Sequence, residues 1–159
     1  MVRKQSSLQD QVAIVTGGSS GIGAGVAKAL AAEGTKVVVN FSSSEDKATK
    51  VLKEIRDAGG EGMIFKADVS NERDVLALFA ETIRAFGTVD ILINNAGLQK
   101  DSPFHEMTLK EWERVIGINL TGQFLCAREA VKEFLKRGVE PQRSKSAGKI
   151  ICISSVHEV

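Results

Sequence analysis

Short apolar runs alternate along this chain with longer stretches in which apolar residues recur every three or four positions. Val12-Ala13-Ile14-Val15 is apolar without a break, the pattern of a strand buried on both faces. Behind the glycines that follow, Ile22, Val26 and Leu30 predict a helix with those three on its inner face and Gly34 closing it. Lys36 to Asn40 reads as a second strand. Ser42-Ser43-Ser44-Glu45 predicts a capping box opening a second helix, with Ala48, Val51, Leu52 and Ile55 inward and Ala58-Gly59-Gly60 ending it. Gly62 to Lys66 is a third strand. Asn71 to Phe86 is a third helix, with Val75, Phe79, Ile83 and Phe86 aligned and Gly87 closing it. Val89 to Ile93 forms a fourth strand. Thr108-Leu109-Lys110-Glu111 is another capping box, a long helix runs from about Asn119 to Arg137, and Lys149 to Ile153 is a fifth strand.

Strands alternating with helices of this length imply βαβ units, a parallel sheet and right-handed crossovers. The expected fold is therefore α/β, a Rossmann-type doubly wound parallel sheet ending after its fifth strand. Residues 1–10 are expected to be a flexible tail and residues 11–159 one dinucleotide-binding domain. With 159 residues and 43% hydrophobic content there is enough apolar material for one core. A formal net charge of +1 provides no global field toward nucleic acid or anionic membrane. The polar, basic stretch 138–148 has no aromatics among its charges, so it reads as a solvated surface loop rather than a nucleic-acid contact. The first residues lack the apolar core of a signal peptide, and no apolar run approaches the roughly 18 residues of a membrane span. Cys126 and Cys152 lie in no metal-like or redox spacing and are expected to be reduced, buried thiols of a cytoplasmic protein. Trp112 and the phenylalanines at helical spacing are expected in the core.

The turn Thr16-Gly17-Gly18-Ser19-Ser20-Gly21-Ile22-Gly23 joins the first predicted strand to the first predicted helix. In that context a glycine-rich turn reads as a dinucleotide site. Gly17 allows the tight turn, Gly21 lets a pyrophosphate approach the backbone, and Gly23 permits close helix–strand packing. The helix N-terminus offers free N–H groups and the positive end of its dipole. The same residues spell Gly-x-Ser-x-Gly, the nucleophile elbow of α/β-hydrolases. Against that alternative, the turn follows the first strand, whereas the elbow needs several strands before it, and no His-Gly-Gly-Gly segment is present. His157 and His105 are the only histidines, and no carboxylate cluster accompanies them, so no metal site is expected.

Asn94-Asn95-Ala96-Gly97 then follows the fourth strand, Asp68-Val69 the third, Asn119 lies in Val115-Ile116-Gly117-Ile118-Asn119-Leu120, and Ser154-Ser155 ends the fifth strand. With these motifs in order, the chain resembles the short-chain dehydrogenase/reductase family from about residue 8 to 159. Its substrate-side segments, Leu98, His105-Glu106-Met107 and Ser154-Ser155-Val156-His157-Glu158, are similar to those of the family's glucose 1-dehydrogenases. The resemblance implies an NAD(P)-dependent oxidoreductase moving a hydride between the nicotinamide and the CH–OH group of a sugar or alcohol. It implies that Ser19, Ser20 and Ile22 join the glycines at the cofactor, and that Asp68 accepts from the adenine amino group with help from the Val69 backbone. Asn95, Ala96 and Gly97 would line the floor under the adenosine ribose. Ser155 would hydrogen-bond the substrate's reacting oxygen, and Asn119 would hold a water in a proton relay.

Cofactor choice depends on the end of the second strand. An acidic residue there would bond the ribose 2′-hydroxyl and repel a 2′-phosphate. Here Asn40-Phe41-Ser42-Ser43-Ser44 neither excludes NADP with an acid nor attracts it with a cation, while serine hydroxyls can bond a phosphate. Both NAD and NADP are expected to be usable, with a lean toward NADP. The family's Tyr-x-x-x-Lys is not found: the 159 residues contain no tyrosine. The chain therefore reads as an N-terminal portion, inactive by itself, or as a non-catalytic NAD(P)-binding fragment. A homotetramer is implied for full-length relatives and is in doubt for this portion. The fifth strand, apolar and without an outer neighbour, is expected to make the isolated chain prone to aggregate.

Overall fold

The computed structural model describes residues 8–154. It has the predicted alternation. The elements are β1 (Val12–Val15), α1 (Gly21–Ala32), β2 (Lys36–Phe41), α2 (Glu45–Asp57), β3 (Gly62–Lys66), α3 (Glu72–Phe86), β4 (Ile91–Asn94), α4 (Leu109–Ile116), a π-helical turn (Gly117–Thr121), α5 (Gly122–Arg137) and β5 (Lys149–Cys152). The strands form one parallel sheet in the order β3-β2-β1-β4-β5. The sheet is thus a Rossmann-like, doubly wound one.

Pleating sends alternate residues to opposite faces, and two cores result. Ala13, Val15, Val37, Val39, Ile91 and Ile93 meet α1 and α2 on one face. Ile14, Val38 and Leu92 meet α3 and α5 on the other. That two-sided burial is why β1, β2 and β4 read as unbroken apolar runs.

α3 begins as expected: the Asn71 side chain accepts from the amides of Arg73 and Asp74. The Thr108–Glu111 capping box is fully formed. Thr108 donates to Glu111 from both its amide and its hydroxyl, and these bonds hold the Glu111 carboxyl below the usual carboxylate range.

Several expectations need correction. The second capping box is absent: α2 is capped at Ser44, without a side-chain bond, so Ser42 stays outside the helix. The buried face of α1 is Gly23, Ala24, Ala27 and Ala31, while Ile22 is 66% exposed. Small residues let α1 lie close to the sheet, and the large apolar ones flank the contact. No separate helix starts at Asn119. α4 runs through the π turn into α5, placing Asn119 in mid-helix. Trp112 and Phe124 are exposed rather than core. Cys152 is exposed on β5, whereas Cys126 is fully buried and burial pushes its thiol up to about 12.

The basic loop also departs from its solvated reading. Asp90, 1% exposed at the start of β4, receives the Val12 amide and the guanidinium groups of Arg137 and Arg143. Lys149 bonds Gln11 and Ser144, and Gln11 donates to the Arg143 carbonyl. The loop is tied through these charges to the N-terminal end of the sheet. Leu8 to Asp10 form a turn there, with Asp10 donating to the Gly34 carbonyl. Among the described residues, no helix is long and apolar enough to cross a membrane.

Candidate functional site

In the order β3-β2-β1-β4-β5 the chain reverses direction across the sheet between β1 and β4. That crevice, at the C-terminal ends of the strands, is where open α/β sheets bind ligands. The segments leaving β1 and β4 are locked to each other there. The Thr16 hydroxyl accepts from the amides of Asn95 and Ala96, both at 2.9 Å, and lies 3.3 Å from the Ile93 carbonyl. The Asn95 side chain donates to the carbonyls of Thr16 and Gly17. Asn40, 1% exposed, accepts from the Gly17 amide and donates to the Ala67 carbonyl. Neutral amides and one hydroxyl thus fix the exits of β1, β2, β3 and β4, and the charged groups that line the crevice, Asp68 and Arg114 among them, take no part in that lock.

The turn has the geometry that an anion requires. Gly21 has φ +54° and open space where a Cβ would stand. A Cβ at Gly23 would lie 2.5 Å from both the Gly17 carbonyl oxygen and the Asn95 Nδ2, so α1 can start here only on a glycine. Ser20 is the N-cap of α1 and makes no side-chain cap bond, and no acidic residue lies in the first turn. The amides of Gly21, Ile22 and Gly23 precede the first helical bond, from Ala24 to the Ser20 carbonyl. They are available to a pyrophosphate.

Three clefts open around this turn. The first, about 240 Å³, lies between the ends of β2, β3 and β4 and is lined by Asn40, Ser42, Asp68, Val69, Ala96 and Arg114 among others. Asp68 does not cap α3. Its Oδ1 accepts from the Ser70 amide and hydroxyl, and its Oδ2 has no hydrogen bond among the described residues. The second cleft, about 320 Å³, is polar and joins Ser19, Ser20, Ser42, Ser43 and Ser44 to Asn95, Ala96 and Gly97. The third, about 680 Å³, extends over Ile22, Asn119, Gln123, Ile153 and Ser154. All three are lined in part by Ala96 and Gly97 and so run together as one crevice.

Asn119 sits in the π turn, and its side chain reaches the loop after β4. It accepts from the Leu98 amide at 2.9 Å and donates to the Leu98 carbonyl at 2.8 Å. One lone pair and one N–H remain for a water. Ser155 and His157 lie outside the described residues. His105 is exposed beside Glu106, and no group of metal-ligating side chains occurs among the described residues. Sequence reasoning placed Thr16 in the turn and Leu98 among the substrate-side segments without giving either a role of its own, and it did not assign Arg114 to the site. Thr16 was detectable as a hydroxyl at a strand exit, but its partners are nearly 80 residues away. Leu98 acts only through its backbone, which no side-chain pattern reports.

Comparison with known proteins fits this geometry. The short chain dehydrogenase family profile matches residues 11–159. A 3beta-hydroxysteroid dehydrogenase 1 of Eggerthella lenta is 43% identical over 152 residues, covering 96% of this chain and 56% of that protein. A 3-oxoacyl-[acyl-carrier-protein] reductase of Synechocystis is 43% identical over 151 residues, covering 95% and 58%. The chain thus spans little more than half the length of these relatives. Among solved structures, a short-chain dehydrogenase/reductase of Serratia marcescens carrying two substitutions superposes with a TM-score of 0.84 at 33% identity, covering 94% of this chain and 57% of that one. A short-chain dehydrogenase of Burkholderia cenocepacia, solved in complex with NADP, gives 0.82 at 29% identity, covering 92% and 56%.

Proposed function

The chain belongs to the short-chain dehydrogenase family, and from that premise we propose that it is the cofactor-binding portion of an NADP-preferring oxidoreductase acting on the CH–OH group of a sugar. The observation that carries this reading is the open N-terminus of α1 at Gly21, held against the β4 exit by Thr16 and Asn95. Bound there, the cofactor would supply the nicotinamide ring that gives or takes the hydride. The α1 amides hold its phosphates, and Asp68 Oδ2 accepts from its adenine amino group. Ala96 and Gly97 line the ribose floor, and Asn119 retains a water. Ser155 is assigned to the substrate oxygen.

NADP is favoured because the serine cleft carries hydroxyl donors and no carboxylate among its lining residues. Glucose is the proposed substrate on the resemblance of the substrate-side segments. A 3β-hydroxysteroid and a 3-oxoacyl thioester, suggested by the names of the relatives, are the competing classes. A cytoplasmic location agrees with two free cysteines. A homotetramer is proposed for the whole protein, because Leu120, Phe124, Val131 and Leu135 leave an apolar stripe exposed along the π turn and α5.

Titration of NADP and NAD into the protein tests the cofactor reading. NADP is expected to bind at least as tightly as NAD. A preference for NAD beyond about a hundredfold, roughly 2.7 kcal/mol, overturns the lean, and no binding of either overturns the reading itself. For substrate, glucose-dependent NADP reduction is compared with turnover of the other two classes. These 159 residues hold no tyrosine for the acid–base step and are expected to show no turnover alone. Robust reduction by them would refute that.

A further inference from the structure

The first cleft contains a group that the cofactor reading does not use. Arg114 and Ile118 are four residues apart on one helical segment, and both line this cleft together with Asp68 and Val69. Arg114 is exposed, and its guanidinium has no hydrogen bond or ion pair among the described residues. The rest of that cleft is largely small or apolar: Ala67, Val69, Ala96, Leu98 and Ile118. The cleft therefore combines small and apolar side chains with one free acceptor oxygen, Asp68 Oδ2, and one unpaired planar cation.

A group matched to all three features is flat, neutral and aromatic, with an amino donor on its edge. We propose that Arg114 is a base-selecting residue of the cofactor site. Its guanidinium covers the face of the adenine ring while Asp68 takes the amino edge. The inference rests on the nucleotide reading above and deepens it. A planar cation over an aromatic face is attracted by the ring's negative π cloud, and more strongly as water is excluded from the contact. Because Arg114 has no ion pair to lose, the contact opens no other interaction.

The test is binding, measured by calorimetry and ligand-observed NMR, on the wild-type protein and on Arg114→Met and Arg114→Lys. R114M is expected to weaken NADP and ADP about five- to tenfold. R114K is expected to fall between it and wild type, because Lys lacks the plane. Nicotinamide mononucleotide, which has a phosphate but no adenosine, is expected to bind R114M within twofold of wild type. The hypoxanthine analogue of NADP loses the amino edge but keeps the ring face. It should bind the wild type more weakly, and R114M should weaken it by the same factor as NADP. Equal loss for the mononucleotide, or full recovery in R114K, would show simple charge attraction and overturn the proposal. So would unchanged NADP affinity in R114M while the wild type binds. If the wild type binds no nucleotide at all, the cofactor reading fails first. Circular dichroism of both variants should match the wild type, since an exposed unpaired side chain is removed.

Discussion

The two ends of the sheet are held together by opposite means. At the N-terminal end, Asp90 is buried between Arg137 and Arg143, and Lys149 joins Gln11 to Ser144. At the C-terminal end, Thr16, Asn40, Asn95 and Asn119 do comparable work with neutral groups. Charges serve well where nothing has to bind, since a buried pair only has to satisfy itself. At a site for an anionic ligand, a fixed charge would compete with the ligand or repel it. Amides and hydroxyls can order the backbone at the turn without setting a fixed charge against the α1 N-terminus.

The largest effect that could break this contrast is expected at Asp90. Asp90→Ala removes the buried carboxylate shared by Arg137 and the part-exposed Arg143, which keep their other acceptors, and a loss of about 3 kcal/mol in urea unfolding is expected. NADP affinity of the folded fraction should stay within about twofold. A large affinity loss would mean that the ends are not independent. Thr16→Val comes next. It strips the acceptor from two loop amides and should cost about 2 kcal/mol, but here NADP affinity should fall at least tenfold. Loss of stability without loss of affinity would make Thr16 purely structural. Ser42→Arg adds a cation to the serine cleft and should raise NADP preference over NAD by roughly tenfold, or about 1.4 kcal/mol. An unchanged ratio would take the 2′-phosphate away from Ser42.

The smallest effect concerns the thiols, and it contrasts the core with the sheet edge. The Cys126 thiol is raised to about 12, so its neutral form is favoured, and at pH 8 only about one part in ten thousand is thiolate. Iodoacetamide should therefore modify exposed Cys152 in the native protein and reach Cys126 only after denaturation. Native modification of both would mean that the packing of α5 on β4 opens readily.

Much of this contrast was legible in the sequence, but unevenly. Strand positions and the inner faces of α2 and α3 were read from apolar spacing, because each element buries its own local pattern. The inner face of α1 was misread, because close approach at Gly23 selects small residues and leaves Ile22 exposed. The N-terminal network escaped because Asp90 and Arg143 are distant in sequence and each alone reads as surface. At the ligand end the glycines and Asp68 stood out by motif. Asn40 was assigned to the cofactor from its place at the end of β2, whereas its side chain is spent on Gly17 and Ala67. Arg114 carried no signal beyond ordinary helical polarity.

The π turn at Gly117–Thr121 acts as a phase adjuster on a screw. One extra residue per turn offsets everything after it by about 100° relative to an unbroken helix. Arg114 and Ile118 can then face the nucleotide crevice while Leu125, Cys126, Ala130 and Phe134 face the sheet. Deleting a single residue within 117–121 would bring the two halves into one continuous winding. Either the crevice wall or the core contact would then be turned away. A length change of one residue here is thus expected to be less tolerable than most substitutions at the same positions.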